Sequence, residues 1–173
     1  EELFDDELKS LAWDRSIYQS EKYVEINARE TANVDPEPFL LLPSKARRLG
    51  IVLVHGFLSS PAEVREFGDK LVQAGYNVVG VRLKGHGTSP WDLRDRDWRD
   101  LLTSVENGRR IMENLSPCCA LVGFSTGGTL SITAAAERPD GILGLVSICP
   151  PIKFRNKNMR FVPLMHGVNR IVE

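Results

Sequence analysis

The chain has 173 residues, of which 42% are hydrophobic and 26% charged, and a formal net charge of −1. That length supports one domain with a real core, and the balanced charge gives no electrostatic reason to bind nucleic acid or an anionic membrane surface. No apolar run approaches the roughly 20 residues of a bilayer span, so membrane contact is not expected.

Residues 1–20 are predicted to be partly helical, with Leu3, Phe4, Leu8, Leu11 and Ala12 on one face. Residues 21–35 are polar and show no clear period. Phe39-Leu40-Leu41-Leu42, enclosed by prolines, is a short strand candidate. Residues 50–54 form a continuous run rich in β-branched side chains, as a strand buried on both faces requires, and they end in His55-Gly56-Phe57. Ser60-Pro61-Ala62-Glu63 reads as a helix start, with Ser60 as cap and Glu63 closing a capping box. Val64, Phe67, Leu71 and Val72 supply that helix's apolar face, and Gly75 ends it. A strand over 76–83 leads into the loop Gly85-His86-Gly87-Thr88-Ser89-Pro90. A long helix follows, to about residue 115, with Trp98, Leu101, Leu102, Val105, Met112 and Leu115 on one face. Residues 118–122 are a strand, 126–137 a helix stopped before Pro139, and 142–148 a further apolar strand.

Strand and helix therefore alternate with short connections, which predicts an α/β, mostly parallel sheet with helices on both faces. Ligands of such sheets bind beyond the carboxyl ends of the strands. Here those ends carry His55-Gly56-Phe57, the loop 85–90, Ser125 and Pro150-Pro151, and these should converge on one cleft. Gly123-Phe124-Ser125-Thr126-Gly127 stands between a strand and a helix with its serine at the apex. A corner that tight needs small residues two positions either side of the serine, which Gly123 and Gly127 supply.

At these three motifs the chain resembles the α/β-hydrolase superfamily, and within it the carboxylesterase and monoacylglycerol-lipase-like serine hydrolases with an inserted cap. The carrying residues are Val52-Leu53-Val54-His55-Gly56-Phe57, Leu83-Lys84-Gly85-His86-Gly87-Thr88-Ser89 and Val122-Gly123-Phe124-Ser125-Thr126-Gly127-Gly128. The resemblance implies a three-layer fold divided into an N-terminal helix and extension (1–35), the N-terminal part of the core (36–149) and the start of a cap (150–173). It implies Ser125 as nucleophile, the backbone N–H groups of Phe57 and Thr126 as oxyanion hole, and an ester as small-molecule substrate. His55 and His86 are expected to brace loops, with Gly56, Gly123 and Gly127 shaping them. A serine at the corner disfavours the branches of the superfamily that attack with a carboxylate.

A serine hydroxyl needs a base and an orienting acid, and in this fold they follow it in the order acid, then histidine. After Ser125 the acids before His166 are Glu137 and Asp140. Both are expected at the wrong end of the sheet, and His166 is not expected to serve as base. The last strands, which would carry the missing pair, are expected to lie beyond residue 173. The 173 residues are therefore expected to be an inactive fragment of a longer enzyme, and strand 142–148 an open edge that pairs with a second copy or swaps elements. Glu1 in place of Met suggests a trimmed N-terminus. The three cysteines, Cys118, Cys119 and Cys149, read as buried free thiols in a reducing, cytoplasmic compartment. No metal or cofactor is implied. Competing functions are another acyl-transfer activity on the same scaffold (amidase, aminopeptidase or acyltransferase) or a non-catalytic binding module.

Overall fold

The structure is a computed structural model, describing residues 2–29 and 35–153. Its centre is β2 (Leu49–Val54), flanked by β3 (Asn77–Val81) and β4 (Cys118–Phe124), both parallel to it. At one edge β1 (Phe39–Leu41) pairs antiparallel with β3; at the other, β5 (Ile142–Ile148) pairs parallel with β4. The order β1-β3-β2-β4-β5 puts every parallel strand's carboxyl end on the same side.

Alternation along β2 builds two cores. Val52 and Val54 face one way, into a cluster with Val79, Val81 and Leu121 that is covered by α5 (Trp98–Glu113) and α6 (Thr126–Glu137). Ile51 and Leu53 face the other, with Phe39 and Val78, under α3 (Ala62–Gln73). Helices on both faces make the predicted three layers.

Local starts and stops differ from the sequence reading in instructive ways. The hydroxyl of Ser60 does accept from Ala62 N–H at 3.3 Å, but Glu63 closes no capping box: its carboxylate accepts from Gly56 N–H instead, at 3.0 Å. Phe67 is 48% exposed rather than core, because α3 turns Gly68 inward, against the Phe39 ring. Trp98, expected on the inner face of α5, is likewise half exposed, and Arg99 stacks over it at 4.5 Å. Asp97 caps α5 in a reciprocal box with Asp100. The loop reading after Gly85 overlooked α4 (Pro90–Arg94), whose Ser89 cap and Pro90 at the first turn are a standard start signal.

The N-terminal segment folds as α1 (Glu2–Tyr18), a short 3₁₀ turn and α2 (Val24–Asn27). Alongside Leu11, α1 buries a charge: Asp14 is 2% exposed. Its carboxylate pairs with Arg82 at 2.6 Å and Lys84 at 2.9 Å. Burial opposes its ionisation, but hydrogen bonds and charge from Lys84 and Arg82 outweigh that and hold the Asp14 carboxyl below its ordinary value.

The expectation of three buried thiols holds for Cys119 alone, whose thiol burial pushes up to about 11. Cys118 sits half-buried at the start of β4, and Cys149 is exposed because it follows the edge strand β5. Nearly all of the expected cap segment, including His166, lies outside the described residues.

Candidate active site

Ser125 occupies the corner between β4 and α6 with φ 52° and ψ −120°, a conformation that strains any residue with a Cβ. Two bonds hold it there: Ser125 N–H donates to the Ile148 carbonyl at 2.8 Å, and the Ser125 carbonyl accepts from Thr129 N–H at 3.2 Å. The corner closes only because its flanking residues lack side chains. A Cβ on Gly123 would lie 2.3 Å from the Gly127 carbonyl oxygen, and one on Gly127 would lie 2.4 Å from the carbonyl oxygens of Val54 and His55. Thr126 opens α6, so its N–H belongs to the first turn, where no intrahelical acceptor exists.

The loop after β2 lies directly against this corner. A Cβ on Gly56 would stand 3.6 Å from the Ser125 Cβ and 3.3 Å from the Phe124 ring. The loop is fixed from three sides. Glu63 accepts from Gly56 N–H. Fully buried His55 accepts from Leu83 N–H through Nε2 at 3.1 Å, so its proton is on Nδ1, which donates to the Gly56 carbonyl at 2.8 Å. His86 accepts from Leu58 N–H through Nε2 at 3.2 Å. The two imidazoles meet edge to face at 5.1 Å, and the half-exposed Phe57 ring packs edge-on to His86 at 5.6 Å. Burial, helped by the neighbouring His86, pulls His55 down to about 3, and burial also lowers His86. Both rings are therefore neutral at pH 7, with their nitrogens turned to backbone groups.

Of the four strand ends expected to converge, three meet: the Gly56 loop lies against the Ser125 corner, and His86 of the 85–90 loop packs on Phe57; no contact among the described residues places Pro150-Pro151 with them. Glu137 and Asp140 do not join them. Glu137 is the last residue of α6, about 18 Å of helix from Ser125. Asp140 precedes β5 at the amino ends of the strands, where its carbonyl accepts from Arg109. Among the described residues, no group of three or more His, Cys, Asp or Glu could hold a metal ion. Sequence reasoning missed Glu63 as a brace of the 55–58 loop, and nothing in its helix-start pattern reveals that its carboxylate turns back. It also missed a second tie: Arg82, held by Asp14, donates to the His86 carbonyl at 3.1 Å.

Beyond Phe57 opens a cavity of about 770 Å³. Phe57, Leu58 and the 85–90 loop form one side, and Arg15, Gln19 and Asn27 of the N-terminal helices the other. Ser125 is not among its lining residues.

Parallel strands in this order, with a strained serine between strand and helix and a second strand's loop pressed against it, define an α/β-hydrolase. Comparison with known proteins makes the assignment specific. Residues 45–173 match the Hydrolase_4 family, described as serine aminopeptidase, S33, and the chain belongs to it. It is 38% identical over 100 residues to a thermostable monoacylglycerol lipase of Bacillus sp. (strain H-257), covering 58% of this chain and 40% of that protein. It is 28% identical over 133 residues to a carboxylesterase of Bacillus subtilis (strain 168), covering 74% and 50%. The fold superimposes on a monoacylglycerol lipase from Paleococcus ferrophilus with a TM-score of 0.62 at 27% identity, covering 80% of this chain and 52% of that one. The chain thus spans about half the length of the relatives it matches. No helix among the described residues is long and apolar enough to cross a membrane.

Proposed function

We propose that the protein cleaves carboxylic esters through an acyl-enzyme formed on Ser125. The observation that carries this reading is the strained Ser125 corner with the Gly56 loop packed against it. Serine attacks the ester carbonyl, and the oxygen that gains negative charge is held by the N–H groups of Phe57 and Thr126. The alcohol leaves, and water then frees the acyl group. Loss of one such donor costs about 3–4 kcal/mol of transition-state stabilisation. Similarity to monoacylglycerol lipases and a carboxylesterase supports a small-molecule ester as substrate. The described histidines, His55 and His86, are committed to backbone, so the base and acid come from outside the described residues. With His166 not expected to serve as base, the 173-residue chain alone is expected to turn over little, because a triad lacking members retains only residual catalysis.

The family's description favours a second reading, hydrolysis of an amide at the N-terminal end of a peptide. Parallel assays on p-nitrophenyl butyrate and on aminoacyl p-nitroanilides separate the two. The nucleophile itself is tested with a fluorophosphonate probe on the intact protein. Labelling should occur and vanish in Ser125→Ala; an unlabelled wild type, or equal labelling of the variant, refutes the assignment and leaves a non-catalytic binding module. The division into extension, core and cap is part of this proposal. So is pairing of the open β5 edge with further chain or a second copy. A reducing, cytoplasmic location fits the free thiols.

A further inference from the structure

The cavity beside Phe57 has no assigned role, and two features mark it as a built site. The first concerns unpaired polar atoms. Arg15 Nε and Asn27 Oδ1 are both buried without a hydrogen-bond partner, and both residues line this cavity. Asn27 donates through Nδ2 to the Tyr18 carbonyl at 2.8 Å, which identifies Oδ1 as its unused atom. Buried polar atoms in native folds are nearly always satisfied, and exceptions point to a missing partner. Here one exception is a donor on a permanently charged group and the other is an acceptor. A ligand that satisfies both brings an acceptor oxygen to Arg15 and a donor, such as a hydroxyl, to Asn27. An oxyanion suits the guanidinium best, because the hydrogen bond is then charge-assisted.

The second feature is rigidity and place. Arg15 follows Asp14, whose buried ion pairs with Arg82 and Lys84 fasten this turn of α1 to the strand ends. Across the cavity, Phe57 and Leu58 offer apolar surface, and the Phe57 peptide is next to Gly56, itself in contact with the Ser125 corner. A volume of about 770 Å³ lies within the range of small-molecule sites. The wall bearing Arg15 and Asn27 precedes residues 45–173, so it is an addition to the family's matched core.

We propose that this cavity is a subsite for an oxyanion-bearing, hydroxylated part of the substrate, a phosphate or carboxylate ester component held by Arg15 and Asn27. The inference rests on the ester-hydrolase reading for its link to catalysis, but binding can be measured without it. Glycerol 3-phosphate, glycerate and neutral glycerol are titrated calorimetrically into the full protein. One or both anions should bind about tenfold or more tightly than glycerol, and which one does so identifies the anion. Arg15→Gln should erase that preference. Asn27→Asp, which sets a carboxylate against the ligand, should also erase it, and decides the matter if Arg15→Gln does not fold. Equal weak binding of all three compounds, or a preference unchanged in the variants, overturns the subsite. Glycerol 3-phosphate or glycerate should also slow fluorophosphonate labelling of Ser125 in the wild type. Anion preference in a protein that the probe never labels removes the hydrolase reading and leaves the subsite standing; labelling without anion preference does the reverse.

Discussion

His55 is neutral because of where it sits. Its ring is buried, and both nitrogens are hydrogen-bonded to backbone groups that suit the uncharged form. In the unfolded chain it titrates near its ordinary value of about 6.5, against about 3 in the fold. Between those values the unfolded state binds more protons, so stability rises with pH across the interval. The contribution is complete above pH ~6.5 and is lost progressively as pH falls towards 3, by a few kcal/mol in all. The lowered His86 works in the same direction. Asp14, held below its ordinary value, adds a contribution lost at still lower pH. Urea midpoints should therefore fall steadily from pH 7 to pH 4, and imidazole NMR should show His55 unprotonated at pH 4.5. A His55 titration near 6.5 would disprove the braced-ring account. The serine corner was legible because its geometry forbids a Cβ at Gly123 and Gly127, which confines those positions to one residue type. Asp14 was not legible. A carboxylate on a helix that also carries Asp5, Asp6 and Glu7 reads as solvated, and only the fold brings Arg82 to it.

The strands were readable from apolar runs, since β2, β3 and β4 are buried on both faces and need nothing but chain-local pattern to be found. Helix α4 was harder, because five residues are too few to show a period and only Ser89-Pro90 signals it. Strand β5 has the composition of a central strand and the position of an edge. Leu143 is 72% exposed and Val146 50%. An apolar strand with one free ladder is a template for pairing. Sedimentation velocity of the 173-residue chain should show association that grows with concentration over the micromolar range. The double substitution Leu143→Lys with Val146→Lys should suppress it by setting charge along the exposed strand. A wild type that stays monomeric at tens of micromolar would rule out edge pairing.

At the scale of the whole molecule, the N-terminal extension and the matched core are mechanically one body. Asp14 of α1 holds Arg82 and Lys84, and Arg82 in turn holds the His86 carbonyl of the loop that braces Leu58. Asp14→Asn leaves Arg82 buried with its counter-charge removed, which should lower stability by about 3–5 kcal/mol in urea denaturation. The exposed pair Lys70–Glu66 on α3 has no comparable role, and its removal should leave the midpoint in place. An unchanged midpoint in Asp14→Asn would mean that α1 contributes nothing to the fold's stability.

That linkage also sets an order of events during synthesis. Asp14 and Arg82 are 68 residues apart. At ~5–20 residues per second, Arg82 is added about 3–14 s after Asp14. Through that delay α1 has no partner for its buried carboxylate. Helix α1 thus cannot dock as soon as it is made, and the nascent chain must keep it waiting until β3 and Arg82 have arrived.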